Sequence, residues 1–275
     1  MSRDLRRNPK AQAPAFPLNP KNAMDLGLAG RTALITGGSQ GIGAATATVL
    51  AAEGVNLILV ARNAARLEQT RQAILDEFKV DVCVAAHDLS KSEEIATLAS
   101  RYRNVDILVN NAGSIPSGSL FEISEARWRE GWDSKVFAYI NMCRTFYPII
   151  KERGGGVIVN VLGTGSLRKD PGYCCGGMGN AALDFFTQTL GASSPRDNIR
   201  VVGISPGSTD TQRHRKLADA AGTAVSEKAA LPFQRLAQPQ EIGFAIAFAA
   251  SQKSAYTSGA ILVVDGGKSV SNKIF

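Results

Sequence analysis

Residues 32–43 read Thr32-Ala33-Leu34-Ile35-Thr36-Gly37-Gly38-Ser39-Gln40-Gly41-Ile42-Gly43, and an alanine-rich stretch follows. A short apolar run that ends in a glycine-rich turn and passes straight into helix-forming sequence predicts strand, turn and helix. Glycines in such a turn let the chain reverse tightly, let an anion approach the backbone, and let the helix pack on the sheet. The helix start then offers unpaired N–H groups and the positive end of its dipole, a setting for a pyrophosphate. The stretch therefore predicts a dinucleotide held by Gly37, Ser39, Gln40, Gly41, Ile42 and Gly43. The spacing is G-x-x-x-G-x-G, preceded by Thr36, and not the G-x-G-x-x-G of the common fingerprint.

Outward from this turn the pattern repeats. Short β-branched runs at 32–36, 55–61, 80–86, 105–110, 156–162, 199–205 and 260–264 alternate with helix-length stretches near 41–53, 63–78, 91–101, 124–152, 175–193 and 239–250. The runs at 55–60 and 261–264 are almost continuously apolar, as strands buried on both faces must be. Such alternation implies right-handed crossovers, hence an α/β fold: a Rossmann-type doubly wound parallel sheet of about seven strands with helices on both faces. No internal repeat or Pro/Gly-rich linker divides the chain, so residues 28–275 are expected to form one domain. Residues 207–238 are long, polar and without a clear strand, and are expected to lie as a lid on the substrate side.

The net charge of +7 raises the question of nucleic acid. Arg3, Arg6, Arg7, Lys10 and Lys21, against Asp4 alone, place more than half of the excess in the first 22 residues. A short basic tail is ordinarily solvated, and Pro9, Pro14, Pro17 and Pro20 work against regular structure there. Residues 1–27 are thus expected to be a flexible arm, and nucleic acid is not expected as a partner. No run approaches the roughly 20 apolar residues of a membrane span. The basic N-terminus also lacks the apolar core of a secretion signal, so the cytoplasm is expected. Cys83, Cys143, Cys174 and Cys175 contain no CxxC spacing, which predicts buried free thiols and no metal site.

Further motifs follow the strands in order. Asp88-Leu89 comes after the third, Asn110-Asn111-Ala112-Gly113 after the fourth, Pro206-Gly207 with Thr209 and Thr211 after the sixth, and Tyr256-Thr257-Ser258-Gly259 and Asp265-Gly266-Gly267 near the end. Together with the glycine turn they resemble the short-chain dehydrogenase/reductase family over residues 28–268. The resemblance implies a nicotinamide dinucleotide. Asp88 and Leu89 would meet its adenine, Asn111, Ala112 and Gly113 would line it, and Pro206, Gly207, Thr209 and Thr211 would hold the nicotinamide end. At the end of the second strand, where NAD enzymes place an acid for the ribose 2′-hydroxyl, stand Ala61 and Arg62. A guanidinium favours a 2′-phosphate by charge and by paired hydrogen bonds, so NADP(H) is favoured over NAD(H). A surface arginine stacked on the adenine is the alternative.

The resemblance also implies a reaction centre of Ser, Tyr and Lys, with an Asn on the preceding long helix, and here the sequence departs. Aligned on Ala181-Ala182-Leu183 the Lys position is Asn180 and the Tyr position Gly176; the Ser position is Gly163 and the Asn position Lys135. Glycine has no side chain to move a proton, so the family mechanism cannot run unchanged. Tyr173, about one helical turn before Gly176, and Thr164, beside Gly163, are the candidate substitutes, with a packing or loop role the simpler expectation for Tyr173. Lys135 and Asn180 look like an exchange of partners: the ammonium of Lys135 is expected to reach the space of the missing lysine, with Asn180 hydrogen-bonding beside it. A solvent-facing helix position is the alternative for Lys135. Gly176, Gly177 and Gly179 predict an open helix start and an enlarged, less polar pocket above the nicotinamide.

These readings make the chain an NAD(P)-dependent oxidoreductase acting on an unidentified small carbonyl or alcohol with a non-standard proton donor. The alternative is a catalytically inactive NADP(H)-binding protein with a sensing, structural or partner role. Phe146, Tyr147, Phe185 and Phe186 on the two long helices look exposed and apolar. The resemblance implies that these helices pair between subunits, giving a homo-oligomer, tetramer or dimer.

Overall fold

In the computed structural model, seven strands form one sheet in the order β3-β2-β1-β4-β5-β6-β7, with every pairing parallel. The structure describes residues 25–221 and 230–271. Most of the expected N-terminal arm, and residues 222–229 of the expected lid, lie outside them. The strands are β1 (Thr32–Thr36), β2 (Asn56–Ala61), β3 (Val82–Ala86), β4 (Ile107–Asn110), β5 (Gly156–Val161), β6 (Ile199–Pro206) and β7 (Ile261–Val264). The helices are α1 (Gly41–Ala52), α2 (Ala64–Glu77), α3 (Ser92–Arg101), α4 (Glu125–Trp132), α5 (Ala138–Glu152), α6 (Cys174–Ser193), α7 (Gln212–Ala221) and α8 (Pro239–Ala250).

Strands β1, β4 and β5 are buried almost throughout because both faces are covered, whereas the apolar run of β7, expected to be buried on both faces, stands at the sheet edge with Leu262 and Val263 exposed. Side chains such as Leu50, Leu67, Leu57 and Ile246 fill one face of the sheet; Ile95, Leu98, Phe146 and Ile158 fill the other. A third cluster, which includes Ile115, Val136, Tyr139, Leu162 and Leu183, sits where α5 and α6 meet the end of β5. The chain reverses its winding between β1 and β4, which opens a crevice beyond the carboxyl ends of those strands, the usual ligand position in open α/β sheets.

Four expectations need correction. Phe146 is fully buried, and Tyr147 and Phe186 are half-buried; of the four aromatics only Phe185 is exposed, because the α5 and α6 stripes turn inward onto the sheet. Cys83 is exposed on the edge strand β3, whereas Cys143 and Cys175 are buried; all four thiols are free. The stretch read as one helix over 124–152 is two helices joined by a π-turn, Asp133–Phe137. The expected lid contains α7, whose polar sequence hid its helical character.

Candidate active site

The crevice is built first from backbone. The Thr36 hydroxyl accepts the N–H groups of Asn111 (2.8 Å) and Ala112 (2.9 Å), and the Asn111 amide donates to the Thr36 carbonyl (2.9 Å). These bonds lock the turn after β1 to the loop after β4. A Cβ on Gly43 would lie 2.2 Å from the Gly37 carbonyl oxygen and one on Gly37 2.7 Å from the Asn111 amide, so neither position admits a side chain. Gly37 and Gly41 also hold positive φ, of 69° and 57°. Gln40, the residue before α1, gives the helix no side-chain cap, which leaves the first-turn N–H groups to face the crevice. This cradle fits a dinucleotide pyrophosphate.

Beyond the ends of β2 and β3, where the adenine is expected, the structure brings Arg62 and Asp88 together. Burial opposes the charge on the Asp88 carboxyl. Hydrogen bonds from Ser90 and the nearby Arg62 and Lys91 nevertheless hold it below the usual aspartate range. Leu89 is buried. The sequence reading missed Arg66, whose guanidinium donates to Gln40 Oε1 at 2.9 Å and so brings a second cation to the glycine turn. Its place, three residues after the capping Asn63 and one turn beyond Arg62, was the available signal. At the other end, Gly207 packs on Asp265, which a Cβ would strike at 2.6 Å. The Thr209 hydroxyl donates to the Gly207 carbonyl, and the Thr211 methyl reaches Gly41.

The reaction half is filled differently. Lys135 sits in the π-turn, and its Nζ donates to Asn180 Oδ1 and to the Leu162 carbonyl, each at 2.9 Å. Gly113 lies on its stem, 2.7 Å from Cβ and Cγ had it a Cβ of its own. Burial and the Arg213 guanidinium push Lys135 down to about 8, against an upward pull from Asp184. Asp184 lies one helical turn after Asn180 and was not singled out by the sequence. Burial raises its carboxyl, while the Ser166 hydroxyl and the ammonium groups of Lys135 and Lys169 draw it back down. Its Oδ1 is buried without a hydrogen-bond partner among the described residues.

Gly176 does not open a void. The ring of Tyr173 lies over it, with Cζ 2.0 Å from where a Cβ on Gly176 would stand, and the same ring edges against Gly165 at 2.8 Å. The enlarged pocket expected from the missing side chain is therefore occupied by a neighbour's ring. Gly179, likewise, lets α6 close on Ile115, which a Cβ would meet at 2.9 Å, so the helix start is tight where it was expected to be open. Gly163 faces the Asn180 amide, 3.1 Å from its would-be Cβ. Thr164 begins the turn Thr164–Ser166 after β5, half-buried.

A family model described as enoyl-(acyl carrier protein) reductase matches residues 37–269. The 3-oxoacyl-(acyl-carrier-protein) reductase FabG of Chlamydia trachomatis is 31% identical over 245 residues, covering 87% of this chain and 98% of that protein. The chain belongs to the short-chain dehydrogenase/reductase family. Its relatives in that family include human dehydrogenase/reductase SDR family member 4, 30% identical over 87% of this chain and 88% of that protein. Among solved structures, the L-sorbose reductase of Gluconobacter frateurii, in complex with NADPH and L-sorbose, superposes with a TM-score of 0.86. It is 32% identical, with 90% of this chain and 100% of that chain covered. The chain is thus an oxidoreductase of the short-chain type with the family's nicotinamide dinucleotide fold. No described helix is long and apolar enough to cross a membrane.

Proposed function

We propose that this protein is an NADP(H)-dependent oxidoreductase for a small carbonyl or alcohol, with a rebuilt reaction centre in place of the family's Ser, Tyr and Lys. The observation that carries this reading is the inward-turned ammonium of Lys135, which donates to Asn180 Oδ1 and to the Leu162 carbonyl and so sets a positive charge at the end of β5. When bound, the nicotinamide supplies or accepts the hydride. The chain's own residues do the rest. Gly37, Ser39, Gln40, Gly41, Ile42 and Gly43 receive the pyrophosphate. Arg62 and Arg66 favour a 2′-phosphate by charge and paired donors, and the NADPH carried by the sorbose reductase structure agrees with that choice. Lys135, aligned by Asn180, supplies the cation beside the nicotinamide ribose, and Pro206, Gly207, Thr209 and Thr211 orient the carboxamide.

A second reading, a cofactor-binding protein without turnover, is favoured by one observation: neither Gly163 nor Gly176 carries a side chain that can hold a proton. Fluorescence titration with NADPH and NADH, followed by deuteride transfer from labelled NADPH to a panel of ketones and aldehydes, separates the two. We expect tighter binding of NADPH and transfer to at least one carbonyl. Tight binding with no transfer across the panel would establish the second reading, and no binding of either nucleotide would sink both.

We also propose a homo-oligomer, dimer or tetramer. An apolar groove of about 270 Å³ between α5 and α6, lined by Ile140, Tyr147, Phe186 and Leu190, lies beside the exposed Phe185 and is suited to a second copy. A monomeric mass in sedimentation at micromolar concentration would rule this out.

A further inference from the structure

We propose that Tyr173 is the proton donor of this reaction centre and that Arg213, reaching in from α7, is the positioning cation that serves it. The inference rests on the oxidoreductase reading above and names the group that reading leaves open.

Three features place the pair. Gly165 and Gly176 both lack the Cβ that would collide with the Tyr173 ring, so the phenol lies across the face of α6 from which the family's own tyrosine is missing. The Tyr173 hydroxyl makes no hydrogen bond to any described residue, which leaves it for a ligand. One loop, 111–118, anchors both partners. Arg213 donates to the carbonyls of Gly113 (3.0 Å) and Ile115 (2.9 Å), while Gly118 bridges to Tyr173 and its N–H bonds to the Gly172 carbonyl (2.8 Å). The loop beyond β4 therefore holds both Tyr173 and Arg213.

Charge supports the pairing. Burial raises the phenol of Tyr173, and Arg213 is the cation that pulls it back, with Cys175 on α6 acting weakly upward. Lys135 of the π-turn and Asp184 of α6 face each other more deeply, around Asn180, and Asp170 turns its carboxylate to the Gly172 N–H. The proposed step balances simply. With reduced nicotinamide dinucleotide as reductant, the carbonyl carbon gains the hydride and its π pair moves to oxygen. The O–H bond of Tyr173 breaks as the proton passes to that oxygen, and the phenolate next to Arg213 regains a proton from water.

Tyr173→Phe keeps the ring that fills Gly176. We expect it to melt with the wild type, to bind NADPH within about twofold, and to lose about 100-fold or more in turnover. A readout that needs no turnover comes from ultraviolet difference titration of the cofactor-free protein. The phenolate step present in wild type and absent in Tyr173→Phe should move to higher pH in Arg213→Gln and stay in place in Arg213→Lys. Wild-type turnover in Tyr173→Phe would overturn the donor role. A titration step indifferent to Arg213→Gln would overturn the pairing. If the wild type transfers no hydride to any carbonyl, the oxidoreductase reading and the donor role fall together. An Arg213-dependent step would then mark an electrostatic contact without chemistry.

Discussion

The two halves of the crevice are built by opposite means. Around β1, α1 and β4 the site is made of backbone: glycines without room for a Cβ, helix N–H groups, and one threonine hydroxyl that ties two loops together. Around β5 and α6 glycines again clear space, but side chains from elsewhere occupy it: Tyr173 over Gly176, and Lys135 against Asn180. A backbone site has one solution and tolerates no substitution. A side-chain site can be emptied at one position and refilled from another.

The largest test of that contrast is Gly43→Ala. The new methyl would stand 2.2 Å from a backbone oxygen that cannot yield. We expect NADPH binding to be lost in fluorescence titration and stability to fall by about 1–3 kcal/mol or more in urea melts. Near-normal binding would show that the backbone half is as adaptable as its neighbour. Gly176→Ala should cost about 1–3 kcal/mol on its own, because the methyl evicts the Tyr173 ring. In the background of Tyr173→Ala the same change should cost much less. Additive losses in this double-mutant cycle would mean that the two positions do not share space.

Lys135 gives a pH signature. Its ammonium titrates at about 8 in the fold against an ordinary value of 10.5, so the unfolded chain holds the extra proton between those limits. Stability contributed by this group must therefore rise as pH goes from about 8 to about 10.5, by up to a few kcal/mol, and be flat below. The difference between wild type and Lys135→Met across that range isolates it, and a constant difference would contradict the burial of the ammonium. Lys135→Met should also weaken NADPH binding about tenfold, or about 1.4 kcal/mol. The smallest change belongs to the outer edge of the backbone half. Arg62→Ala should reduce NADPH affinity by about tenfold or less and leave NADH unchanged, with Arg66 retaining part of the preference. Equal loss for both nucleotides would assign Arg62 to the adenine and not to the phosphate.

Legibility in the sequence follows the same division. The succession of strands and helices and the glycine turn were readable, because backbone geometry restricts residue type at fixed spacing, whereas the bonds of Asn111 to Thr36 were not. The facing of Lys135 and Asn180 was readable for a different reason, since two positions depart together. What fills the space over Gly176 was not. A glycine announces space but not its occupant, and the fold of the Tyr173 ring back over Gly176 depends on a φ of −136° at the start of α6. Arg213 and Asp184 were hidden for lack of pattern: one lies in a helix whose polar sequence resembles a loop, the other on an unremarked turn of α6. The aromatics of α5 misled because Phe146 belongs to a stripe that only the packing of α5 on β4 and β5 identifies as interior.

The π-turn at Asp133–Phe137 makes this stretch sensitive to insertion and deletion. A π-turn is an α-helix carrying one residue too many, absorbed locally without breaking the helix. Each residue of an α-helix advances about 100° around the axis. Removing one residue here would therefore straighten α4 into α5 and swing Lys135 about a quarter-turn away from Asn180. The ammonium that meets Asn180 is held in phase by that single surplus residue, so a deletion in this turn would displace it more than most substitutions could.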